Sequence, residues 1–184
     1  MTSPASDGPF LWNVAGLLAE PSGAERADRI EGATIDLGED LGLAQPVDGR
    51  LRLVRTNRGI LANANMHTAL DLACSRCLRE IAVPVEVRLQ EEYLPSLDMA
   101  TGRPLPTSDE PDALRLTDHH ELDLETPVRE AIQLAEPIAP LCRADCPGLC
   151  IVCGGRLDER SHDHPDDEID PRLEALRGFR ADGG

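Results

Sequence analysis

With 184 residues and 41% hydrophobic content, the chain is long enough for one cored domain, or for one domain and a small appendage. Aromatics are only 2% (Phe10, Trp12, Tyr93 and Phe179), a thin supply of large core side chains that small metal-stapled modules often offset. The net charge of −16 and the absence of lysine, all 18 basic residues being arginine, exclude Schiff-base and P-loop lysine chemistry and give a field that repels phosphate backbones and attracts basic partners.

Residues 1–9 are small and polar and read as a frayed tail. The first 20 residues have neither a basic segment nor a long apolar core, so no signal peptide is expected. No apolar run approaches the ~20 residues that span a bilayer. The expected location is the cytoplasm, without membrane contact, where cysteines stay reduced and closely spaced pairs point to metal or redox chemistry before disulfides. Phe10 to Leu18 is the first apolar run. Glu20 to Gly32 is then expected as a polar connection, Ala33 to Leu37 as a short strand, and Gly38 to Gly49 as a turn-rich stretch.

Residues 50–93 carry the clearest period-two patterns. Leu51 and Leu53 alternate with Arg50 and Arg52, and Asn57, Arg58 and Gly59 supply a turn. From Ile60 the even positions (Ala62, Ala64, Met66, Thr68, Leu70, Leu72) share a face, opposite Asn63, Asn65, His67 and Asp71. Cys74-Ser-Arg-Cys77 breaks this pattern. Alternation then resumes, with Ile81, Val83, Val85, Val87 and Leu89 opposite Glu80, Glu86 and Arg88. The two strands predict an antiparallel hairpin with a C-x2-C knuckle at its tip, where two sulfurs can be aimed at one ion.

Leu94 to Glu121 is rich in Pro, Asp, Ser and Thr and reads as a mobile acidic loop carrying His119 and His120 as exposed loop histidines. Leu122 to Leu134 reads as a short helix. Thr126 and Pro127 suit its N-cap and first position, and Val128, Ala131, Ile132 and Ala135 form its apolar stripe. Pro137 and Pro140 end it and deliver the chain to Cys142. A last helix is expected after Asp170-Pro171, with Leu173 and Leu176 inward and Gly178 as its stop.

Residues 141–157 read LCRADCPGLCIVCGGRL and hold Cys142, Cys146, Cys150 and Cys153. With Cys74 and Cys77 upstream and His162 and His164 downstream, eight thiol or imidazole donors fall in three clusters, and a tetrahedral zinc takes four. Cys150 and Cys153, followed by Gly154 and Gly155, form a good knuckle and pair with His162 and His164. Cys74, Cys77, Cys142 and Cys146 make the second set. Free structural thiols and a redox dithiol stay open as other readings, as does the pairing itself. Four protein ligands per site leave no open position, which argues for structural metal. His162-x-His164-x-Asp166 resembles the start of a metallo-hydrolase motif, but the next residue is Asp167 where that motif has histidine. No Ser/His/Asp constellation, phosphate loop or dinucleotide fingerprint is visible.

These pieces resemble the YceD family, the large ribosomal RNA subunit accumulation proteins of bacteria and plastids. The matching strings are C-S-R-C-L after a long strand, E-E-Y-L after the next, D-L-E-T-P-V-R-E-A-I-Q-L-A-E-P, P-L-C-R-A-D-C-P-G-L-C-I-V-C-G-G-R-L, and D-P-R-L-E-A-L. The strings lie between Cys74 and Leu176, and the order and spacing of the resemblance cover roughly Phe10 to Leu176. Many members carry C-x-C after the last knuckle; His162-x-His164 stands there in this chain, a conservative exchange on zinc. The resemblance implies a role in accumulation or processing of 23S ribosomal RNA during large-subunit assembly and no known enzymatic activity. The implied partner is the pre-50S particle, met through 23S rRNA or through a basic ribosomal protein.

The expectation is an α+β fold: an antiparallel β-rich region with its knuckle over residues 1–93, the acidic loop over 94–121, and a helix, a cysteine-rich zinc-binding module and a C-terminal helix over 122–184, packed as one unit with the β region. The expected function is a non-enzymatic assembly factor with two structural zinc ions and no small-molecule substrate. The alternative is a C-x2-C thiol-redox or metal-dependent enzyme, in which Arg76 lowers the pKa of Cys74 or Cys77; no thioredoxin-like βαβ pattern surrounds either pair. Direct RNA contact would use Arg50, Arg52, Arg55 and Arg58 around the first hairpin and Arg76 and Arg79 around the knuckle, although a solvated sheet face is the plainer account of them. The scarcity of aromatics argues against base stacking. Contact with a basic protein would use the acidic stretches Asp109 to Glu121 and Asp163 to Asp170.

Overall fold

A computed structural model of the chain describes residues 8–106, 110–160, 162–164 and 172. The helix expected after Pro171 lies outside them. In chain order the elements are β1 (Leu11–Asn13), α1 (Ala15–Leu18), β2 (Glu25–Ala33), β3 (Gly42–Arg55), β4 (Ile60–Ala73), β5 (Glu80–Tyr93), β6 (Glu121–Asp123) and α2 (Glu125–Leu134). Strands β2 to β5 make one antiparallel sheet in sequence order, and β1 pairs with β6. The architecture is mostly antiparallel β with two short helices, and no helix among the described residues is long and apolar enough to cross a membrane.

Period-two alternation sets the core. Strands β4 and β5 pair without a register shift from Ile60↔Tyr93 to Ala73↔Glu80, so every even residue of β4 from Ile60 to Leu70 is buried on one face. Leu51, Leu53, Val85, Val87 and Leu89 join that face, and Val128 and Ile132 of α2, Leu17 and Leu18 of α1, Phe10, Val14, Leu122 and Leu124 complete the cluster. The stripe expected on α2 is therefore the face it buries. Thr68 enters this core because its hydroxyl donates to the Gln45 carbonyl at 2.6 Å. Tyr93 is buried, and its hydroxyl donates to the Asp123 carbonyl at 2.6 Å. Burial raises its phenol pKa, so the group stays a donor.

Three sequence expectations are corrected by the strands. Glu20 to Gly32 is not a polar connection, since Glu25 onward is β2. Its polar look is that of a sheet edge: Glu25, Ala27, Arg29 and Glu31 are exposed while Ile30 and Ala33 are buried, and charged residues on an edge discourage pairing with other chains. Residues 33–37 are not a strand either; Ala33 ends β2, and Leu37 is buried in the core without strand pairing. Gly38 to Gly49 is a turn only as far as Leu41. Strand β3 begins at Gly42, with register shifts against β4 at Leu43/Gln45 and Gln45/Asp48. Pro46 falls within the second of those shifts and past the end of the β2 pairing, where a missing N–H is tolerated.

The helix starts three residues later than the pattern suggests. Residues 121–123 pair with β1, and the Leu124 N–H donates to the Phe10 carbonyl at 2.9 Å. The N-cap is Leu124, not Thr126, and the Glu125 N–H is taken by Asp123 Oδ1 at 2.8 Å. The segment after β5 is tied back to that strand's end: Leu94 N–H donates to Leu114 O at 2.9 Å, and Leu116, which is buried, donates to Leu94 O at 3.0 Å.

Gly59, at the β3–β4 turn, lies against the end of β5: a Cβ there would sit 2.0 Å from the Tyr93 carbonyl oxygen. Because the obstacle is backbone, Gly59→Ala is expected to destabilise the protein by about 1–3 kcal/mol, measured as a lower urea midpoint at unchanged m-value.

Candidate metal centre

Both C-x2-C segments fold as the same knuckle. In the first, the Cys74 N–H donates to Arg79 O at 2.8 Å and the Leu78 N–H to Cys74 O at 2.9 Å. In the second, the Cys150 N–H donates to Gly155 O and the Gly154 N–H to Cys150 O, both at 2.8 Å. Each is the tip of an antiparallel pair, closed by Ala73↔Glu80 in one case and by the Leu149↔Arg156 bridge in the other. The residue after the second cysteine is left-handed in both: Leu78 has φ 54° and Gly154 φ 67°. Glycine marks the second knuckle in the sequence. Leucine hides the same geometry in the first.

The segment after α2 docks on the first knuckle through backbone groups. Ser75 donates to Pro140 O from its N–H at 2.8 Å and from its hydroxyl at 3.1 Å. Arg76 Nη1 donates to Cys146 O at 3.0 Å, and Arg156 Nε to Cys77 O at 3.1 Å. The docking brings the sulfurs of Cys74, Cys77, Cys142 and Cys146 within 4.8 Å of one another. Cys74 and Cys146 are 3.8 Å apart, and Cys77 and Cys142 3.7 Å. None of the six cysteines is disulfide-bonded. A tetrahedron with Zn–S bonds of about 2.3 Å separates its sulfurs by about 3.8 Å, so this thiol set fits zinc.

The electrostatics agree with that fit. Cys74 receives backbone N–H bonds from Cys142, Cys77 and Arg76, which hold its thiol down at about 6. Burial, together with the neighbouring thiols, pushes Cys142 up to about 12 and raises Cys146. Four crowded thiols cannot all ionise unless a cation shares their charge.

The second set is Cys150, Cys153, His162 and His164, whose donor atoms also lie within 4.8 Å of one another. His162 Nε2 lies 3.1 Å from the Arg156 carbonyl. A carbonyl only accepts, so Nε2 carries the proton, and Nδ1, 3.4 Å from Cys153 Sγ, presents its lone pair to the cluster. His164 Nε2 is buried with no hydrogen-bond partner, as befits a donor reserved for a metal. Gly155 permits this packing, because a Cβ there would lie 2.9 Å from His162 Cε1. The first cluster is closed and buried. The second is nearer solvent, with Cys153 exposed and both histidines half-buried.

An ion-pair group joins the two knuckles. Arg79 lies 3.3 Å from both Asp158 and Glu159, Arg156 3.0 Å from Glu159, and Arg143 3.6 Å from Asp158. Of these only Arg79 stands out in the sequence. The others sit in a polar stretch without periodicity, and only the docked fold shows their use.

The six arginines considered for RNA contact do not form one patch. Arg76 and Arg79 brace the knuckle, whereas Arg55 and Arg58 flank the β3–β4 turn at the other end of β4, about 45 Å along a 14-residue strand. Arg55 donates to the carbonyls of Leu18 and Gly59, each at 3.1 Å, and of Thr56. Arg58 is paired with Glu110 and Arg52 with Glu25. Arg50 lies on the outer sheet face. His119 is exposed; His120 is left-handed at φ 58°, and its carbonyl accepts the Val14 N–H at 2.9 Å.

An antiparallel sheet whose hairpin tip is joined through one four-thiol cluster to a Cys/His module that carries a second four-donor cluster is the class of protein that fold and site define. Comparison with known proteins takes this further. The chain belongs to the family of the large ribosomal RNA subunit accumulation protein YceD, whose family model matches residues 62–180. That span contains both knuckles and all eight donors. An uncharacterized protein of Mycobacterium tuberculosis is 36% identical over 131 residues, covering 71% of this chain and 60% of its own length. An uncharacterized protein of Mycobacterium leprae is 30% identical over 166 residues, covering 89% of this chain and 74% of its own length. The chain thus spans about 60% of the length of the Mycobacterium tuberculosis relative. No solved structure matches it.

The shared knuckle geometry can be tested without metal analysis. Gly154→Ala is expected to cost about 1 kcal/mol, the usual penalty for a side chain in the left-handed region. Leu78→Gly is expected to be neutral within about 0.5 kcal/mol, because relief of that penalty offsets the added backbone freedom of glycine. Urea denaturation of the two variants beside the parent reads both.

Proposed function

We propose that the protein is a non-enzymatic factor supporting 23S rRNA accumulation or processing during large-subunit assembly, with zinc held by Cys74, Cys77, Cys142 and Cys146 and a second zinc by Cys150, Cys153, His162 and His164. Family membership supports the ribosomal role. The observation that supports the structural use of metal is the convergence of Cys74 and Cys77 with Cys142 and Cys146 from a distant segment, beside a second set in which Cys150 and Cys153 meet His162 and His164 of the same module. Zinc bound there would cross-link those segments and contribute folding free energy. Residues 122–164 would then act as one unit with the sheet, and the protein would work in the cytoplasm on the pre-50S particle, through rRNA or a basic ribosomal protein.

Thiol-redox chemistry is disfavoured by the same geometry. Cys74 faces Cys146 and Cys77 faces Cys142, so neither sulfur of the first pair is left for an outside thiol.

Cys74→Ser is expected to lose one zinc per chain and to lower the melting temperature by at least 10 °C, because loss of a structural metal costs several kcal/mol. Cys150→Ser, at the more exposed set, is expected to lose the other zinc with a smaller drop. Elemental analysis and thermal melting check both; variants that lose metal yet melt like the parent would overturn the structural assignment.

The ribosomal role is tested by sedimenting the metal-loaded protein in a cell extract through a sucrose gradient at low salt. Co-migration with immature large-subunit particles is expected, with an about 10-fold loss of binding at moderate salt if the contacts are to phosphates. Recovery only at the top of the gradient, free of rRNA and ribosomal proteins, would sink the proposal.

A further inference from the structure

The face of the sheet turned away from the core has an unusual row of side chains. In an antiparallel sheet, directly paired residues point to the same side. The register Arg29↔Arg50, Arg50↔Asn65 and Asn65↔Arg88 therefore sets three arginines and an amide in one line across β2, β3, β4 and β5. The next row is Ala27, Arg52, Asn63 and Gln90. Strands lie about 4.8 Å apart, so each row spans about 14 Å. Acids fall in the bordering rows, Glu25 and Glu92 on one side and Asp48 and Glu86 with the exposed Glu31 on the other, and Glu25 reaches Arg52 of the second row. Two adjacent rows free of carboxylates are out of character for a chain of net charge −16.

Folding gains nothing visible from this row. Like charges directly opposed across strands are destabilising, and Arg29 and Arg50 are such a pair. Among the described residues Arg50 and Arg88 have no ion-pair or hydrogen-bond partner. Arg29 reaches only Glu31, at 3.7 Å, with both side chains about three-quarters exposed, a geometry worth little. The row also lies along a furrow. Asn65 lines three adjoining hollows of about 1190, 420 and 270 Å³, of which the first two also touch Arg29 and Arg50 and the third Arg88.

Guanidinium groups at strand spacing match a run of phosphates, and side-chain amides can donate to phosphate oxygens or exchange hydrogen bonds with 2′-hydroxyls. No aromatic residue stands in either row, so unpaired bases would find no stacking surface. A paired helix needs none, because its phosphates and 2′-hydroxyls are what it presents. We propose that this arginine and amide band is a docking surface for the backbone of an RNA helix. The proposal rests on the assembly-factor role above for the RNA being ribosomal. Arg29 and Arg88 thus join Arg50 as contact residues, while Arg52, held by Glu25, and Arg55, Arg58, Arg76 and Arg79 keep structural duties.

The test measures binding of the full metal-loaded chain to a helix-containing 23S rRNA transcript across a salt series. The parent is compared with the triple variant Arg29→Gln/Arg50→Gln/Arg88→Gln and with Arg103→Gln as a control outside the band. The triple variant is expected to bind at least 10-fold more weakly at low salt. Its slope of log K against log salt should fall by about 2–3, near one per lost phosphate contact; the control should match the parent. Arg50→Glu replaces opposed like charges with cross-strand ion pairs, so it should melt no lower than the parent while losing RNA binding, an outcome that a purely structural role for Arg50 would not produce. Parent affinity and slope in both variants would overturn the surface assignment and leave the assembly role standing. A parent that sediments with precursor particles but binds no rRNA helix would also overturn it, in favour of a protein contact. Failure of both sedimentation and RNA binding would remove the assembly role as well.

Discussion

The rest of the structure depends on the convergence of four thiols at the tip of the β4–β5 hairpin. Cys74 and Cys77 lie within one turn and can be positioned by local hydrogen bonds alone, but Cys142 and Cys146 come from a segment more than sixty residues away. What holds that segment before any metal is considered is a small set of hydrogen bonds to its backbone carbonyls, from the Ser75 N–H and hydroxyl to Pro140 and from the Arg76 guanidinium to Cys146. These bonds prearrange the sulfurs at the separation zinc requires, so a metal would find its site largely formed. The second knuckle, the histidines and the ion pairs around Asp158 and Glu159 all lie downstream of this junction and take their positions from it.

The thin aromatic content leaves room for such a clamp to contribute. The core is built from Leu, Val, Ile and Ala on one face of a single sheet, covered by α2 and the N-terminal segment. It ends where β4 and β5 reach the knuckle, and the cysteine cluster forms a separate small core of its own. Beyond that point there is too little apolar surface to bind the Cys-rich module by burial, and several of its large apolar residues are exposed, Ile151 at 94% among them. Metal coordination can replace burial at small cost in chain length. The division of labour is plain: hydrophobic pairing organises one side of the sheet, thiol chemistry organises its tip, and the other side of the sheet is left polar and open.

Much of this was legible from residue order. The period-two runs on either side of Cys74–Cys77 specify a hairpin because a slip of one residue would turn the whole apolar set to solvent. The eight donors and their grouping could be proposed from spacing, since a C-x2-C turn is a local structure. The missed strands were illegible for a physical reason. β2 is a polar edge with two buried residues, and β3 carries Gly, Pro and two register shifts where its pattern would need to be regular. The start of α2 was misplaced because Thr126-Pro127 is a good local cap, but β6 pairing and the burial of Leu124 decide the boundary from outside the helix. Leu78 concealed the first knuckle's left-handed residue because leucine seldom takes that conformation alone.

By itself, the sequence determined the hairpin, the apolar stripe of α2, the two knuckles and the kind of atom each donor offers, because these depend on neighbours a few residues apart. The tertiary structure decided which distant donors meet, which arginines are used up in bracing, and which remain in a row across four strands. Arg29, Arg50 and Arg88 have no common spacing in the chain. They become neighbours only through strand register, which is set by the apolar residues on the opposite face.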